Sequence, residues 1–236
     1  MAEIQQVAKS ETLSPEMVQA VSQKLAQSFG GRPLKRVLMI VPPDADRTMF
    51  NVATARRGRY WNYPPYGFGL LAAQLRQLGV DCEVINLNNS VLRAAQECTG
   101  PASFDFDKAW REPLAKVHED SRPDLVCITC MFSQTHKSLL KVVAELRHVL
   151  PDVPIAAGGV HITNSLSTDS TRDQLVKDLS EVDYFFLYEA DLALRRFAET
   201  LDGSSPVEAL SQIIVRLPDG IEEAVARLLE DVGATR

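Results

Sequence analysis

The sequence predicts an α/β fold in which a parallel, five-stranded, doubly wound sheet is covered by helices. Short apolar runs alternate with amphipathic segments along most of the chain, which is the pattern of strands joined by right-handed crossover helices. Hydrophobic residues make up 45% and charged residues 24% of 236 positions, as expected of a globular protein that can bury a full core. The apolar run 153–157 stops at Gly158-Gly159 and is typical of a strand buried on both faces.

Five segments carry the strand pattern, and each is followed by a turn signal or a helical segment. The first ends at Pro42-Pro43, because a proline offers no N–H to a strand ladder. Together they indicate a Rossmann-like or flavodoxin-like sheet, and residues 213–216 are predicted to add an edge strand. The five predicted strands are residues 36–41, 82–87, 124–131, 153–157 and 182–187.

Helices are predicted from apolar residues at helical spacing and from capping residues. The first begins at Pro15 with Ser14 as its N-cap and ends at Gly30-Gly31, so it is an extra helix ahead of the sheet. The segment 88–122 is interpreted as an insertion or cap over one edge. Leu70, Leu71, Leu75 and Leu78 are expected to form the apolar face of a helix that Gly79 ends. The other predicted helices are 91–96, 106–118, 135–150, 171–179, 191–201 and 221–232.

These elements divide the chain into three parts: a helical extension (1–34), the α/β domain (35–203), and an edge strand with a helix leading to a linker (204–236). The net charge of −6 argues against a nucleic-acid partner. No apolar run reaches the roughly 20 residues needed to span a bilayer, and the N-terminus lacks a signal-peptide pattern, so a cytoplasmic location without a membrane partner is expected. The four cysteines, Cys82, Cys98, Cys127 and Cys130, are interpreted as buried, unreactive thiols.

Ligands of open α/β sheets bind outside the carboxyl ends of the strands, where Gly158 and Gly159 are expected. The pair is interpreted as a ligand-approach site or simply as a tight turn. Residues 67–72 match the dinucleotide pattern G-x-G-x-x-A. A strand cannot run into this motif through Pro64-Pro65, and Asn86 replaces the acidic ribose partner, so dinucleotide binding is disfavoured. Arg56, Arg57 and Arg59 are interpreted as solvated charges or as contacts for an anion.

Several short motifs follow one another in a fixed order along residues 37–201. In this order they resemble the cobalamin-binding domain that precedes the radical S-adenosylmethionine domain in cobalamin-dependent radical enzymes. The resembling pieces are the strand ending in Pro42-Pro43, Tyr63-Pro64-Pro65-Tyr66-Gly67 with Leu71-Ala72, Pro123-Asp124-Leu125-Val126, Gly158-Gly159-Val160-His161, and Val182-Asp183-Tyr184 with Tyr188-Glu189-Ala190-Asp191. The chain departs from the family pattern at Tyr188, where the family has glycine, and at Asn86, where it often has aspartate.

Thr129-Cys130-Met131 also resembles the S-x-L piece of cobalamin domains of the methionine synthase type, which precedes a glycine pair at a compatible distance. The D-x-H-x-x-G motif of that type is absent. The resemblance therefore implies cobalamin, in the methyl form, held with its base displaced and without a protein histidine on cobalt. It also implies that the Thr129 hydroxyl bonds the nucleotide tail, and that Gly158 and Gly159 line the slot for this tail.

The resemblance implies that no residue is catalytic or ligates the metal directly. His161 is expected to form hydrogen bonds beside the tail. Glu189 is expected to be a rim carboxylate or a helix cap, and His136 to face the ligand or solvent. The expected cofactor-binding residues are Tyr63, Pro64, Pro65, Tyr66, Gly67, Thr129, Cys130, Met131, Ser133, Gly158, Gly159, Val160, His161, Tyr188 and Glu189.

The implied function is a cobalamin-binding module that is not catalytic alone and serves a radical S-adenosylmethionine methyltransferase. No C-x-x-x-C-x-x-C motif occurs, so the iron-sulfur cluster and S-adenosylmethionine are expected only in a missing domain or a partner subunit. The chain is then a fragment of a longer enzyme or a separate carrier subunit. The alternative is a doubly wound nucleotide-binding or protein-interaction domain that does not bind cobalamin.

Overall fold

The structure is a computed structural model that describes residues 14–120, 122–217 and 220–222. Within these residues seven strands form one sheet. They are β1 (Arg36–Val41), β2 (Asp81–Asn86), β3 (Leu125–Thr129), β4 (Ile155–Gly158), β5 (Tyr184–Phe186), β6 (Ile213–Leu217) and β7 (Gly220–Glu222).

The sheet confirms the predicted α/β architecture. Its order is β2-β1-β3-β4-β5-β6-β7, and β1 to β5 pair in parallel. The edge strand predicted at 213–216 is β6, which pairs antiparallel with β5, and β7 pairs antiparallel with β6. The helix predicted over 221–232 is wrong at its start, because residues 221 and 222 pair with β6 as a strand. The rest of that prediction lies outside the described residues.

Nine α-helices connect and cover the strands of the described chain. Ser14 caps the first helix, its Oγ accepting a hydrogen bond from Met17 N at 3.2 Å, and Gly30 ends it in the left-handed region. Two helices of the following series were not predicted: the second lies in the long loop after β1, and the seventh follows the glycine pair. The helices are α1 (Pro15–Phe29), α2 (Val52–Arg56), α3 (Tyr66–Gln77), α4 (Leu87–Glu97), α5 (Phe106–Asp120), α6 (His136–Val149), α7 (Val160–Leu166), α8 (Asp169–Asp178) and α9 (Asp191–Leu201).

Alternate residues of the strands enter two different cores. Leu38, Ile40, Val126 and Ile128 pack with α4 to α8 on one face. Val37, Met39, Leu125 and Cys127 pack with α1, α3 and α9 on the other face. Because successive side chains of a strand point to opposite faces, this division produces the doubly wound sandwich.

One packing prediction is wrong, and a second is wrong at a single residue. The segment 88–122 is not a cap over an edge, because Val91 of α4 and Trp110 of α5 are buried in the core on one face of the sheet. Of the predicted face of α3, Leu75 is buried and Leu71 and Leu78 are partly buried, but Leu70 is 68% exposed. The fully buried stripe of this helix consists of Phe68, Ala72 and Leu75. The stripe begins at Phe68, and the positions four and seven residues later share its side of the helix, so Leu70 points away from the sheet.

A cluster of charged residues joins the layers at the amino end of β5. Asp183 accepts hydrogen bonds from Lys24 Nζ of α1 at 2.8 Å, Arg147 Nη2 of α6 at 2.7 Å and Ile155 N of β4 at 3.0 Å. Burial alone would raise the pKa of Asp183, but these hydrogen bonds and the charge of Lys24 hold it below its ordinary value. The cluster therefore ties helices from both faces of the sheet to one carboxylate.

Candidate functional site

The predicted site residues lie around the carboxyl ends of the parallel strands. Thr129 ends β3, Gly158 ends β4, and Tyr188 and Glu189 follow β5. Tyr66 and Gly67 begin α3, which follows β1 along the chain. Because β1, β3, β4 and β5 are neighbours in the sheet, their carboxyl ends form one edge, here called the carboxyl edge.

Hydrogen bonds bring the turns after β3 and β4 together. Cys130 N donates to Gly158 O at 2.7 Å, and His161 N donates to Cys130 O at 3.1 Å. These bonds extend the pairing of Thr129 with Gly158 beyond the end of the ladder. Cys130, Gly158, Gly159 and His161 are therefore held as one rigid unit by their backbones.

The absent side chains of the glycine pair face protein backbone, and the ligand slot expected beside the pair stays a prediction. A Cβ at Gly159 would lie 2.6 Å from Cys130 O and 2.9 Å from Cys130 C, and the φ of Gly159 is +104°. A Cβ at Gly158 would lie 3.2 Å from Phe186 O. The absent side chain of Gly159 would therefore overlap the turn after β3, and that of Gly158 would lie tightly against β5. The packing of the edge itself requires glycine at position 159 and favours it at position 158.

The turn after β5 is strained. Tyr188 and Ala190 have φ values of +57° and +54°, a region that costs a non-glycine residue roughly 1 kcal/mol or more. Tyr188 N donates to Thr163 Oγ1 of α7 at 2.9 Å, which fixes this turn beside the one after β4. The strain explains why glycine suits the position of Tyr188 in the family pattern described above. Glu189 is exposed, and no side chain caps α9, so the helix-cap interpretation is wrong.

Tyr63, Pro64, Pro65 and Tyr66 form the entry to α3, and no strand runs into Gly67. The structural context that the dinucleotide pattern requires is therefore missing. Tyr63 and Tyr66 are 59% and 77% exposed. In the described residues these side chains make no hydrogen bond to the residues after β3, β4 or β5, and strand order alone places them at the same edge. Met131 and Ser133 are exposed as well.

Exposed large apolar side chains concentrate at the carboxyl edge. Met131 and Phe132 follow β3 and are 47% and 50% exposed, and Val160 follows β4 and is 51% exposed. Tyr188, after β5, is 44% exposed. We call these four residues together with Tyr63 and Tyr66 the apolar rim. A rim of this kind is typical of a surface that a ligand or partner covers.

Two histidines are joined to each other and to a carboxylate. His161 Nε2 lies 3.1 Å from His136 Nδ1, and His136 Nε2 lies 3.2 Å from Asp178 Oδ2. Burial and the neighbouring His136 lower the pKa of His161. His161 thus takes part in hydrogen bonding, and His136 faces other protein groups rather than only ligand or solvent.

Two hydroxyl groups near the edge have no hydrogen-bond partner among the described residues. The Thr129 hydroxyl stands at the end of β3, partly exposed. Ser138 lies in the first turn of α6, is 3% exposed, and its Oγ is buried without a partner. A buried hydroxyl without a partner costs about 1–3 kcal/mol, so a ligand group that supplied the partner would recover this cost.

The sequence analysis missed Asp44. It follows Pro42-Pro43 directly and exchanges two hydrogen bonds of 3.1 Å with the side chain of Asn88. Burial raises the pKa of this carboxyl. Its position three residues after the end of β1 was the signal that could have identified it, because side chains there meet at the carboxyl edge.

The cysteines are not part of the site chemistry. All four are free, and Cys82, Cys127 and Cys130 are buried. Burial raises the pKa of Cys127 and of Cys130 to about 12, so both remain thiols at neutral pH and are poor nucleophiles. Burial is thus confirmed for Cys82, Cys127 and Cys130, whereas Cys98 is only partly buried. Cys130 contributes its backbone to the site.

Solved structures with a similar fold are cobalamin-dependent enzymes. One is the radical S-adenosylmethionine methyltransferase TsrM from Kitasatospora setae with cobalamin and a [4Fe-4S] cluster bound (TM-score 0.59, 15% identity, 83% of this chain and 29% of that chain). Another is the cobalamin-dependent S-adenosylmethionine radical enzyme OxsB (TM-score 0.51, 16% identity, 83% of this chain and 23% of that chain). At these identities the likeness is one of fold, and the chain spans less than a third of either enzyme.

No curated protein matches the sequence closely. In the described residues no helix is both long and apolar enough to cross a membrane. The model of the B12 binding domain matches residues 59–197, which is more than half of the chain and includes every turn of the carboxyl edge from Tyr63 to Glu189. This chain belongs to the B12-binding domain family.

Proposed function

We propose that this chain binds cobalamin at the carboxyl edge of its sheet. The observation that carries the proposal is the apolar rim, whose six side chains are 44–77% exposed. Cobalamin is a broad ring with largely apolar faces, and burying exposed apolar area contributes about 25 cal/mol per Å². A ligand of this size can cover turns after several strands at once, as the positions of the rim residues require.

The polar groups at the edge suit the nucleotide tail of this ligand. Thr129 offers a partly exposed hydroxyl that has no partner among the described residues. His161 and the backbone of residues 158–160 border the same region. Cys130 would contribute its main chain, since its thiol is buried. Ser133 and Glu189 would lie at the exposed margin.

Tyr63, Pro64, Pro65 and Tyr66 would lie against the lower face of the ring, with Gly67 permitting close approach. No histidine occurs before His118, so the segment between β1 and α3 has no imidazole to offer cobalt. We therefore infer binding with the base displaced and without a protein nitrogen on the metal.

The module would serve a radical S-adenosylmethionine methyltransferase and would not be catalytic alone. Bound as methylcobalamin, the cofactor would supply a transferable methyl group. The iron-sulfur cluster and S-adenosylmethionine would be held by a further domain or by a partner subunit. Residues 35–203 would form the cofactor domain, with 1–34 and 204–236 as its appended segments.

Methylcobalamin binding to the purified chain, measured by retained corrin absorbance after desalting, tests the proposal. Val160→Glu is the sharpest variant, because an exposed carboxylate at the first residue of a helix is compatible with the fold. We expect this variant to keep its melting temperature and to bind methylcobalamin at least tenfold more weakly. Val84→Glu on the edge strand β2, 37% exposed, is the matched control and should bind as the wild type does. Absence of retained corrin in the wild type would refute the proposal.

The coordination of cobalt needs a separate measurement. After reduction of the bound cofactor to cob(II)alamin, electron paramagnetic resonance reports whether nitrogen lies below cobalt. We expect no nitrogen splitting. A clear nitrogen triplet would contradict binding without a nitrogen ligand while leaving cobalamin binding itself intact.

A further inference from the structure

A chain of hydrogen bonds runs from α8 to the turn after β4. Gln174 Nε2 donates to Asp178 Oδ1 at 2.6 Å, and Asp178 Oδ2 contacts His136 Nε2 at 3.2 Å. His136 Nδ1 contacts His161 Nε2 at 3.1 Å, with the rings edge to face. The side chains of His136 and Asp178 are only 20% and 28% exposed. In the described residues His161 Nδ1 has no protein partner.

The positions of the protons follow from the chemistry of the groups. An ionised carboxylate only accepts hydrogen bonds, so His136 carries a proton on Nε2. In the neutral pair His136 Nδ1 then accepts from His161 Nε2–H, and His161 Nδ1 has a free lone pair. The end of this hydrogen-bond series nearest the carboxyl edge, His161 Nδ1, is therefore a hydrogen-bond acceptor.

Uptake of one proton converts His161 Nδ1 from a hydrogen-bond acceptor into a donor. The favoured place for the positive charge is His136, because it lies between Asp178 and an uncharged imidazole. The His161 Nε2–H bond breaks, its proton forms a new bond to His136 Nδ1, and a proton from solvent binds His161 Nδ1. The pair gains one charge, His161 remains neutral, and its Nδ1 becomes a hydrogen-bond donor.

Helix electrostatics do not account for the arrangement. Asp178 is the last residue of α8 and His136 is the first residue of α6. Helix C-termini favour cations and helix N-termini favour anions, so both groups occupy the end that disfavours their charge. The contact between the two side chains therefore forms against the helix dipoles, and Asp178 is the group that favours a positive charge on His136.

We propose that His161, His136 and Asp178 form a proton relay that presents an N–H donor to the anionic phosphodiester of the nucleotide tail. The inference rests on the proposed cobalamin binding and adds a specific contact and a regulation to it. Binding of the anion then draws one proton into the relay, and a lower pH strengthens binding. This linkage is reciprocal, as any coupling between two binding events must be.

The charges around the relay agree with uptake of one proton rather than two. The titratable groups in contact with it are His136 of α6, His161 of α7 and Asp178 of α8, and Gln174 adds a neutral amide. Lys137, the next residue of α6, acts on Asp46 and helps to lower the pKa of that carboxyl. Burial and His136 lower the pKa of His161, which disfavours a second charge on the pair.

The relay can be tested without any ligand by nitrogen-15 NMR of the histidine side chains in the full chain. Between pH 8 and pH 5.5 we expect the pair to take up one proton while neutral His161 changes from the Nε2–H to the Nδ1–H form. In Asp178→Asn this exchange should be lost, with the amide spectrum still that of a folded protein. If His161 keeps its proton on Nε2 while His136 titrates, the relay is refuted.

The ligand contact is tested by methylcobalamin affinity between pH 8 and pH 6. One linked proton permits at most a tenfold change per pH unit, and we expect the wild-type Kd to fall by about tenfold over this range. Asp178→Asn should reduce the change to less than twofold. His148→Gln, at an exposed histidine near the other end of α6, is the control and should behave like the wild type.

The two experiments separate failure of this inference from failure of the proposed function. A wild-type Kd that does not depend on pH, or an unchanged pH dependence in Asp178→Asn, refutes the phosphodiester contact although cobalamin still binds. Absence of methylcobalamin binding at every pH refutes the proposed function and this contact together, while the NMR result still decides the relay.

Discussion

At the scale of single residues, the glycine pair at the end of β4 has a structural explanation, whereas the sequence led us to expect a ligand-binding one. A Cβ at Gly159 would overlap the backbone of Cys130 at 2.6 Å, and the positive φ adds strain for any side chain. The nearest atoms belong to the backbone and cannot rotate away. The requirement for glycine therefore arises inside the protein, before any ligand is bound.

Gly159→Ala should consequently destabilise the fold. The strained φ contributes about 1–3 kcal/mol and the overlap about 1–3 kcal/mol, so we expect a loss of roughly 2–6 kcal/mol in the free energy of unfolding measured with urea. Gly158→Ala is the control. Its Cβ would meet Phe186 O at 3.2 Å without a positive φ, and the loss should be smaller. A stable Gly159→Ala protein that has lost only cobalamin binding would restore the ligand-slot interpretation.

At the scale of elements, α3 begins with two glycines that the fold does not need. Neither Gly67 nor Gly69 would bring a Cβ within 4 Å of another group, and neither has a positive φ. Glycine in a helix costs up to about 1 kcal/mol relative to alanine. The start of α3, beside Tyr63 and Tyr66 of the apolar rim, is therefore less stable than it would be with alanine at these positions. Close approach of a ligand would explain why the smallest residue is present there.

The two glycines provide a matched pair of variants. Gly67→Ala and Gly69→Ala should each raise the free energy of unfolding by up to about 1 kcal/mol. If Gly67 contacts the lower face of the corrin, only Gly67→Ala should also weaken methylcobalamin binding, by at least fivefold. Equal affinities of the two variants would show that the start of α3 does not touch the ligand.

At the scale of the whole molecule, one buried carboxylate connects the two helical layers. Asp183 receives Lys24 from the layer of α1, Arg147 from the layer of α6, and the backbone of β4. Arg216 of β6 donates to Val182 O at 2.7 Å and to Val176 O and Leu179 O at 3.0 Å. The antiparallel strand β6 is thus anchored to the end of α8 next to the same carboxylate.

Asp183→Asn should lower stability at neutral pH by about 3 kcal/mol, because it leaves two largely buried cations without their anion. The pKa of Asp183 is lower in the folded than in the unfolded protein, so its contribution is complete above the unfolded pKa of about 3.9 and is lost as the pH falls through the folded pKa. The difference between wild type and variant should therefore be constant from pH 7 to pH 5 and shrink below about pH 4.

Urea unfolding at several pH values checks this expectation. Asp152→Asn is the control, since Asp152 pairs with Arg122 at an 82% exposed position, where ion pairs contribute little. Its unfolding midpoint should stay close to that of the wild type at every pH. A difference for Asp183→Asn that kept its full size below pH 3 would mean that packing, not charge, explains the loss.

Local sequence determined the elements of this protein and the edge at which its site lies. The periods of 3.6 and 2 residues, the Ser14 cap and the Pro42-Pro43 stop are local signals, and α1, β1 and α9 have the predicted bounds. The order of the motifs from Tyr63 to Glu189 also identified the family, because spacing along a chain survives when single residues change. These features depend on neighbours in sequence, so the sequence alone was sufficient.

Tertiary structure decided what each residue contacts. His161 pairs with His136, and the backbone of Cys130 lies opposite Gly159, so both contacts join residues that are far apart in the sequence. The orientation of α3, which exposes Leu70, is likewise set by packing on the sheet. Residues 221 and 222 have a helical pattern but became a strand, because β6 offered an open edge with unpaired backbone groups. Such contacts arise only when the sheet is assembled, since they depend on distances between segments that periodicity does not encode.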